Sequence, residues 1–435
     1  MKRGMLGVFL CLIVGGAFAE EAVVVIDDPK VHKTILSISE FKDLNLKRAE
    51  KLRAIVQKDL EFTGVFDFVS PSDETLFSGE ELDSTKIHFN EWSKLGTEFL
   101  VKAEIQSRSK EMKVEARLYD VRSGRMIMGK KLKGEEKDLI MMARRFSNAV
   151  MQELTGKEGI FLTKILFISD QSGNKELYMM DFDGKNIEQL TKHKSIIHSP
   201  NWSRDGEFVS YSSYEVHGKN IQNIDASILN LETRKRSIFS YETGLNMGAC
   251  WSPTRKEVAI TLSKDGNPEI YIVKLDKTKK RRLTHHSAVD VECDWSPDGE
   301  KVVFSSGRAP YAHLFIMNRE GTVMERLTYA GRYNSTPVWS PSGEEIVFSG
   351  YKKGSFDLYL VHPDGTDLRR LTKVEKKGIH NEGATFSPDG QHLVFSSNRS
   401  GKYELYIMNE DGSNERPLLQ KFGNAKFPRW SPYLE

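Results

Sequence analysis

Trp295-Ser-Pro-Asp-Gly299, then Val302-Val-Phe-Ser-Ser306, then Leu314-Phe-Ile-Met317, then Arg326-Leu-Thr328 form one copy of a phrase that recurs through the last two-thirds of the chain. Its opening returns as Trp202-Ser-Arg-Asp-Gly206, Trp251-Ser-Pro253, Trp339-Ser-Pro-Ser-Gly343, Phe386-Ser-Pro-Asp-Gly390 and Trp430-Ser-Pro432. The anchor aromatics are 49, 44, 44, 47 and 44 residues apart, a period that belongs to propeller blades built from several short strands. The second and third pieces alternate apolar with polar or small residues and are rich in β-branched and aromatic side chains, as strands packed face to face require. The third piece appears six times, from Leu177, Ser227, Ile270, Leu314, Leu358 and Leu405. Between the first two pieces, Pro presets φ while Asp and Gly tolerate the left-handed position that follows. Something present in every unit serves the unit, and the degenerate copies, with Arg204 for Pro and Thr254 for Asp, fit turn chemistry rather than catalysis.

The two ends of the repeat are complementary. The first unit starts at Ile165-Leu-Phe-Ile-Ser169 with no anchor before it, and the last anchor, Trp430, has no unit after it. A strand at Lys426 to Ser431 is therefore expected to join residues 165–191, closing six blades into a ring with no free edge. The expectation is an all-β six-bladed β-propeller over 160–435, closed by the C-terminal strand.

The 435 residues exceed what one core usually organises, and the stretch 34–157 lacks the repeat. It reads as an α/β domain. Strands are predicted at Thr34 to Phe41, Val65 to Val69, Phe99 to Gln106 and Lys113 to Tyr119, the last two joined by a turn at Ser107 to Glu111. A helix from Leu46 to Glu61 is predicted from the apolar stripe Leu46, Ala49, Leu52, Ile55, Val56 and Leu60, which recurs at helical spacing. A second, from Lys137 to Leu154, ends before Gly156.

Residues 1–19 have the form of a secretory signal peptide. Lys2 and Arg3 precede the apolar run Leu6 to Val14, and Gly15-Gly-Ala-Phe-Ala19 offers a small-residue cleavage site. The run is too short to span a bilayer. Leu10 before Cys11 does not suit lipidation. Export to a non-cytoplasmic compartment is expected. Loss of Lys2 and Arg3 lowers the 63 basic residues to 61, equal to the 61 acidic ones. A neutral chain argues against nucleic acid as partner, which needs a basic excess. Cys250 and Cys293, the cysteines outside that leader, are too few for a disulfide framework; they precede their anchors on consecutive blades, so they are either buried thiols or a bridged pair. Residues 20–33, apolar at Val23 to Ile26, read as an N-terminal arm.

No Gly-x-Ser-x-Gly, phosphate-binding Gly-rich loop, His-Glu-x-x-His or Cys-x-x-Cys occurs. The loops before the anchors are the candidate site, because in a propeller they converge on one mouth of the central channel. Asn246, Asp290, Asn334 and Asn381 stand five residues before four of the six anchors, with His198, Glu292, Thr336, His380 and Glu382 around them. Three uses remain open: ordinary loop chemistry, a partner-binding mouth, or a ring that holds Ca2+ and polarises a substrate carbonyl, as in a metal-dependent, lactonase-like propeller hydrolase.

Beyond the signal peptide and the blade phrase, Glu91-Trp-Ser-Lys-Leu-Gly96 with Phe99-Leu-Val101, the junction Leu154-Thr-Gly-Lys-Glu-Gly-Ile-Phe161, the pattern from Phe395 to Gly412, and the ending Lys426-Phe-Pro-Arg-Trp-Ser-Pro-Tyr-Leu434 carry a resemblance over essentially the whole chain. It resembles the TolB family of periplasmic Tol-Pal proteins. The resemblance implies a non-enzymatic periplasmic protein that needs no cofactor and supports outer-membrane integrity and constriction during division. It implies binding of the peptidoglycan-associated lipoprotein Pal through Leu245, Asn246, Met247, Gly248, Asp290, Val291, Glu292, Asn334, Ser335, Thr336, His380, Asn381 and Glu382. It also implies binding of TolA through the arm residues Glu20, Glu21, Ala22, Val23, Val24, Val25, Ile26 and Asp27. Leu245 and Val291 stand where relatives carry His and Thr, a departure within the same loops.

Overall fold

A computed structural model describes residues 33–71, 77, 80–217, 221–373 and 376–434. The leader 1–19 and the arm positions 20–32 lie outside the described residues. The chain divides into two units, one containing residues up to 133 with 149–157, the other containing 134–148 with 158 onward.

The first unit is an α/β fold around one mixed sheet. Its elements run β1 (Thr34–Ile38), α1 (Leu46–Phe62), β2 (Phe66–Phe68), α2 (Phe89–Lys94), β3 (Phe99–Arg108), β4 (Glu111–Asp120) and β5 (Arg125–Gly134), before α3 (Leu139–Thr155), which the two units share. The sheet order is β2-β1-β3-β4-β5, with β1 parallel to both neighbours and β3 antiparallel to β4. Asn45 caps α1 by accepting from the Arg48 N–H, and Ala49, Leu52, Val56 and Leu60 bury the helix stripe. Leu46 departs from that stripe. At the helix start it is 71 % exposed, because the first turn precedes the stretch that lies on the core. Gly156, at φ +70, ends α3. Two elements escaped the sequence reading. β5 alternates poorly, with Lys130, Lys131 and Lys133 along an exposed edge, and α2 spans too few residues for a periodic signal.

The second unit contains six four-stranded sheets, each ordered from innermost to outermost strand: this is a six-bladed propeller. The innermost strands are Ile197–Trp202, Asn246–Trp251, Asp290–Trp295, Asn334–Trp339, Asn381–Phe386 and Lys426–Trp430. Each ends on its anchor aromatic. The last is the inner strand of the first blade, with Trp430 opposite Ile165 and the Ser431 N–H donating to the Lys164 carbonyl at 2.8 Å. Chain start and chain end of the unit thus share one sheet, and no blade is left with an open inner edge.

Between neighbouring blades the apolar faces form separate small cores. One example brings Ala259, Ile270 and Ile272 against Trp295, Val302 and Phe304. The anchors add directional links: the Trp295 indole N–H donates to the Cys250 carbonyl of the preceding blade, and Trp202 donates likewise to the Arg429 carbonyl. Where the Ser-Pro-Asp-Gly segment is complete, as after Trp295, it closes the hairpin that follows the anchor. Ser296 Oγ accepts from the Lys301 N–H, Asp298 Oδ1 accepts from the Glu300 N–H, and Gly299 takes φ +73.

Candidate docking rim and channel of the propeller

Every innermost strand carries a break in register three residues before its anchor. The residue there lies in the left-handed region in all six blades: Ser199 (φ 52), Gly248 (66), Glu292 (57), Thr336 (51), Gly383 (62) and Phe427 (56). Gly248 and Gly383 adopt this freely. For the β-branched Thr336 and the bulky Phe427 it is strained, at about 1–2 kcal/mol each. These bulges re-aim side chains, and all six residues line a narrow cavity of about 60 Å³. This is the channel. Beyond it, the anchor aromatics and the prolines that follow them line a second cavity of about 360 Å³ at the opposite end.

Two carboxylates stand along the inner strand of the fourth blade, Glu292 lining the channel and Asp294 the cavity at the anchor end. Glu292 Oε2 accepts from the Thr336 N–H at 2.8 Å, and Asp294 Oδ2 accepts from the Trp339 N–H at 2.9 Å. Both carboxylates therefore tie the fourth blade to the fifth. Burial raises the Glu292 carboxyl above its usual range and pushes Asp294 up to about 6, with the Arg429 guanidinium opposing the shift in each case. At the outer end, Glu382 pairs with Lys426 at 3.2 Å, and Lys426 Nζ lies 3.7 Å from the centre of the Tyr403 ring.

The four residues expected to form a polar ring at the mouth do not face it. Asn246, Asp290, Asn334 and Asn381 are buried, and each holds together the corner that starts its blade. Asn246 Nδ2 donates to the Ile224 and Glu242 carbonyls while its Oδ1 accepts from Ser240 Oγ. Asn334 Nδ2 donates to Thr328 Oγ1 and the Ala330 carbonyl. Asp290 accepts from Arg308 at 2.6 Å and Asn381 from Arg399 at 2.8 Å. Ser335 is buried as well. The reason is geometric: the first residue of these inner strands sits under the loop that feeds it, where Asn246 and Asn334 satisfy backbone carbonyls and Asp290 and Asn381 hold an arginine of their own blade. Among the described residues, the group spaced to share a metal is Glu345, His362 and Asp367 on the outer part of the fifth blade, where Arg369 already pairs with Glu345 and Asp367.

The other expected positions remain at the surface of the mouth or in the channel. Leu245, Met247, Gly248, Val291, Glu292, Thr336, His380 and Glu382 are all partly exposed. His380 is held in place, its N–H donating to Asn398 Oδ1 and its Nδ1 accepting from the Phe356 N–H. His198 lies against Phe427, ring centres 5.4 Å apart.

What the sequence reading missed is the apolar rim around the mouth. Ile196, Tyr241, Val289, Tyr329 and Tyr333 are exposed in the loops that lead into inner strands. Tyr311 joins them from the hairpin after Ser306, the residue that pairs with Asp290 at the blade's mouth end. Tyr214 and Val216 join from the long hairpin of the second blade, past Ser213, which pairs with Ile197. Among the described residues, the propeller strands and loops elsewhere leave only Ile238, Val323 and Leu368 so exposed. The available signal was aromatic residues inside turn-rich loops, such as Tyr329-Ala-Gly-Arg-Tyr333. The α/β unit has a cavity of its own, about 810 Å³ beside Phe41, Leu46 and Trp92, with none of the candidate residues in it.

Residues 151–434 match the family model described as the TolB beta propeller domain, and residues 22–127 match the one described as the TolB amino-terminal domain. The chain is 35 % identical over 285 residues to a Tol-Pal system protein TolB of Desulfosudis oleivorans, covering 63 % of each. It is 34 % identical over 229 residues to a protein named TolB homolog from Chlorobium chlorochromatii, covering 52 % of this chain and 49 % of that one. The matched stretches thus span less than two-thirds of these relatives' own length. A crystal structure of TolB from Acinetobacter baumannii superposes with a TM-score of 0.78 at 24 % identity, over 93 % of this chain and 98 % of that one, a likeness of fold.

Proposed function

Since the chain belongs to the TolB family, we propose that it is a non-enzymatic component of a Tol-Pal system, exported to the periplasm, whose propeller mouth binds the peptidoglycan-associated lipoprotein Pal. The observation that carries this reading is the concentration of exposed Tyr, Val and Ile side chains on one rim of the propeller, since grouped aromatic exposure beside a polar cleft favours a protein partner. Leu245, Met247, Val291, Glu292, Thr336, His380 and Glu382 supply the inner part of that surface. The arm Glu20 to Asp27 contacts TolA. Through the two attachments the protein supports outer-membrane integrity and constriction at division.

The test is a binding titration of the mature protein against purified Pal, with Glu382→Ala and Tyr333→Ala as variants checked for unchanged melting. A tenfold or greater loss of affinity in the double variant is expected. Undiminished binding would remove the rim as the docking surface, and no binding by the parent protein would remove Pal as its partner. Deleting residues 20–27 is expected to abolish TolA capture and leave Pal binding intact.

A further inference from the structure

Cys250 and Cys293 end up side by side in the core between the third and fourth blades. Their sulfurs are 3.3 Å apart and both side chains are buried, at 2 % and 5 % exposure. They occupy offset positions of neighbouring inner strands, Cys250 next to its anchor and Cys293 one residue further from its own. That offset matters, because two cysteines at equivalent positions would repeat around the ring instead of meeting. Both are thiols in this structure. A sulfur–sulfur bond of about 2.0 Å requires an approach of roughly 1.3 Å, within reach of side-chain torsions. We propose that Cys250 and Cys293 are a modification site, an interblade disulfide that staples the third blade to the fourth directly beneath the Glu292 bulge.

The chemistry needs an oxidant, and a protein or small-molecule disulfide is the class that fits an oxidising compartment. One cysteine thiolate attacks a sulfur of that disulfide, forming a mixed disulfide and expelling one thiolate of the oxidant. The second cysteine thiolate attacks the protein-side sulfur of the mixed disulfide and expels the other. The two cysteines lose two protons and two electrons in all, and the oxidant leaves as a dithiol or two thiols. In the closed ring this is slow. Burial holds the Cys250 thiol protonated well above its ordinary range, and the flanking channel is narrow. The bond therefore forms while the fourth blade docks on the third, before the ring closes, and the finished propeller then protects it from reductants.

The stapled cysteines are 43 positions apart in sequence, far enough for a substantial restriction of the unfolded chain. The consequence reaches the candidate site, since Cys293 lies between Glu292 and Asp294, both of which hold the fifth blade.

The experiment compares full-length protein exported to the periplasm with the same protein refolded from denaturant in an oxidised and reduced glutathione buffer. Each sample is alkylated under denaturing, non-reducing conditions and mapped by mass spectrometry. The expected result is a linked peptide pair containing Cys250 and Cys293 and no alkylated thiol at either position. Reductant is expected to lower the melting temperature of the propeller by roughly 5–10 °C, with no effect on the Cys250→Ser, Cys293→Ser double variant. Full alkylation of both thiols in both samples overturns the proposal, as does glutathione on a single cysteine or a dimer linked between chains. A linked pair whose reduction leaves the melting temperature in place overturns the stapling role. None of these readouts depends on Pal, so failure of the binding reading and failure of this one are separable.

Discussion

At one end of the propeller the six inner strands finish alike, on Trp or Phe followed by Ser, with side chains closing the gaps between blades. At the other end the same strands begin differently, with Ile197, Asn246, Asp290, Asn334, Asn381 and Lys426, under loops of unequal length that carry exposed tyrosines. Between the two ends, all six strands take the left-handed bulge, whatever residue occupies it. The contrast separates two demands on one strand. The anchor end must bury apolar surface in every blade, so its residues repeat. The mouth end must close each blade on itself yet present a surface, so its Asn and Asp residues turn inward to loop backbone or to an arginine of the same blade while its loops are free to differ.

The contrast can be broken or sharpened by substitution, beginning with the largest effect. Deleting residues 426–435 removes the inner strand of the first blade and should abolish cooperative unfolding of the propeller, followed by near-ultraviolet circular dichroism. A truncated chain that melts as the parent does would mean closure is incidental. Trp295→Ala, at the anchor end, should cost about 3–5 kcal/mol in urea unfolding, whereas an equal loss at an exposed mouth residue would erase the distinction. Asn334→Ala should cost about 1–3 kcal/mol by leaving the Ala330 carbonyl without its side-chain donor and the Thr328 hydroxyl with one donor fewer, the Leu314 N–H remaining, marking it as a blade residue rather than a partner contact.

Asp294→Asn should do the opposite. The Asp294 carboxyl titrates near 6 in the folded chain against an ordinary value of 3.8, so between those values the folded state binds more protons and the parent loses stability as pH rises. The variant lacks this slope. It should be more stable than the parent by about 1–2 kcal/mol at pH 7–8, with the gap closing as pH falls from 6 to 4, read from urea midpoints across that range. Tyr329→Ala, at the rim, should move stability by no more than about 0.5 kcal/mol while weakening Pal binding at least tenfold, measured by calorimetry. Should stability fall by several kcal/mol instead, the rim belongs to the core.

The blades were legible because their demands are local and repeated. A Trp-Ser-Pro-Asp-Gly phrase specifies its own hairpin, and the apolar alternation of Val302 to Ser306 specifies a strand whichever blade receives it. The α/β unit was legible where periodicity was long, as in α1, and illegible in β5, whose lysines give no buried face to detect. The candidate site was harder. Asn and Asp before the anchors carry the same letters whether they face a partner or a backbone carbonyl, and only the path of the preceding loop decides. The six bulges left no single-residue mark at all, because Ser, Gly, Glu, Thr and Phe all occupy the same conformation.

The amino-acid order by itself determined the repeat, the number of blades, the pairing of the last strand with the first, and the placement of an α/β unit before them. These follow from local pattern and counting. Tertiary structure alone decided which mouth residues turn inward, that tyrosines far apart in sequence gather on one rim, and that Cys250 meets Cys293. Ring closure does this, because it converts positions separated by whole blades into neighbours, and the distance between neighbours depends on register and bulges that no single segment encodes.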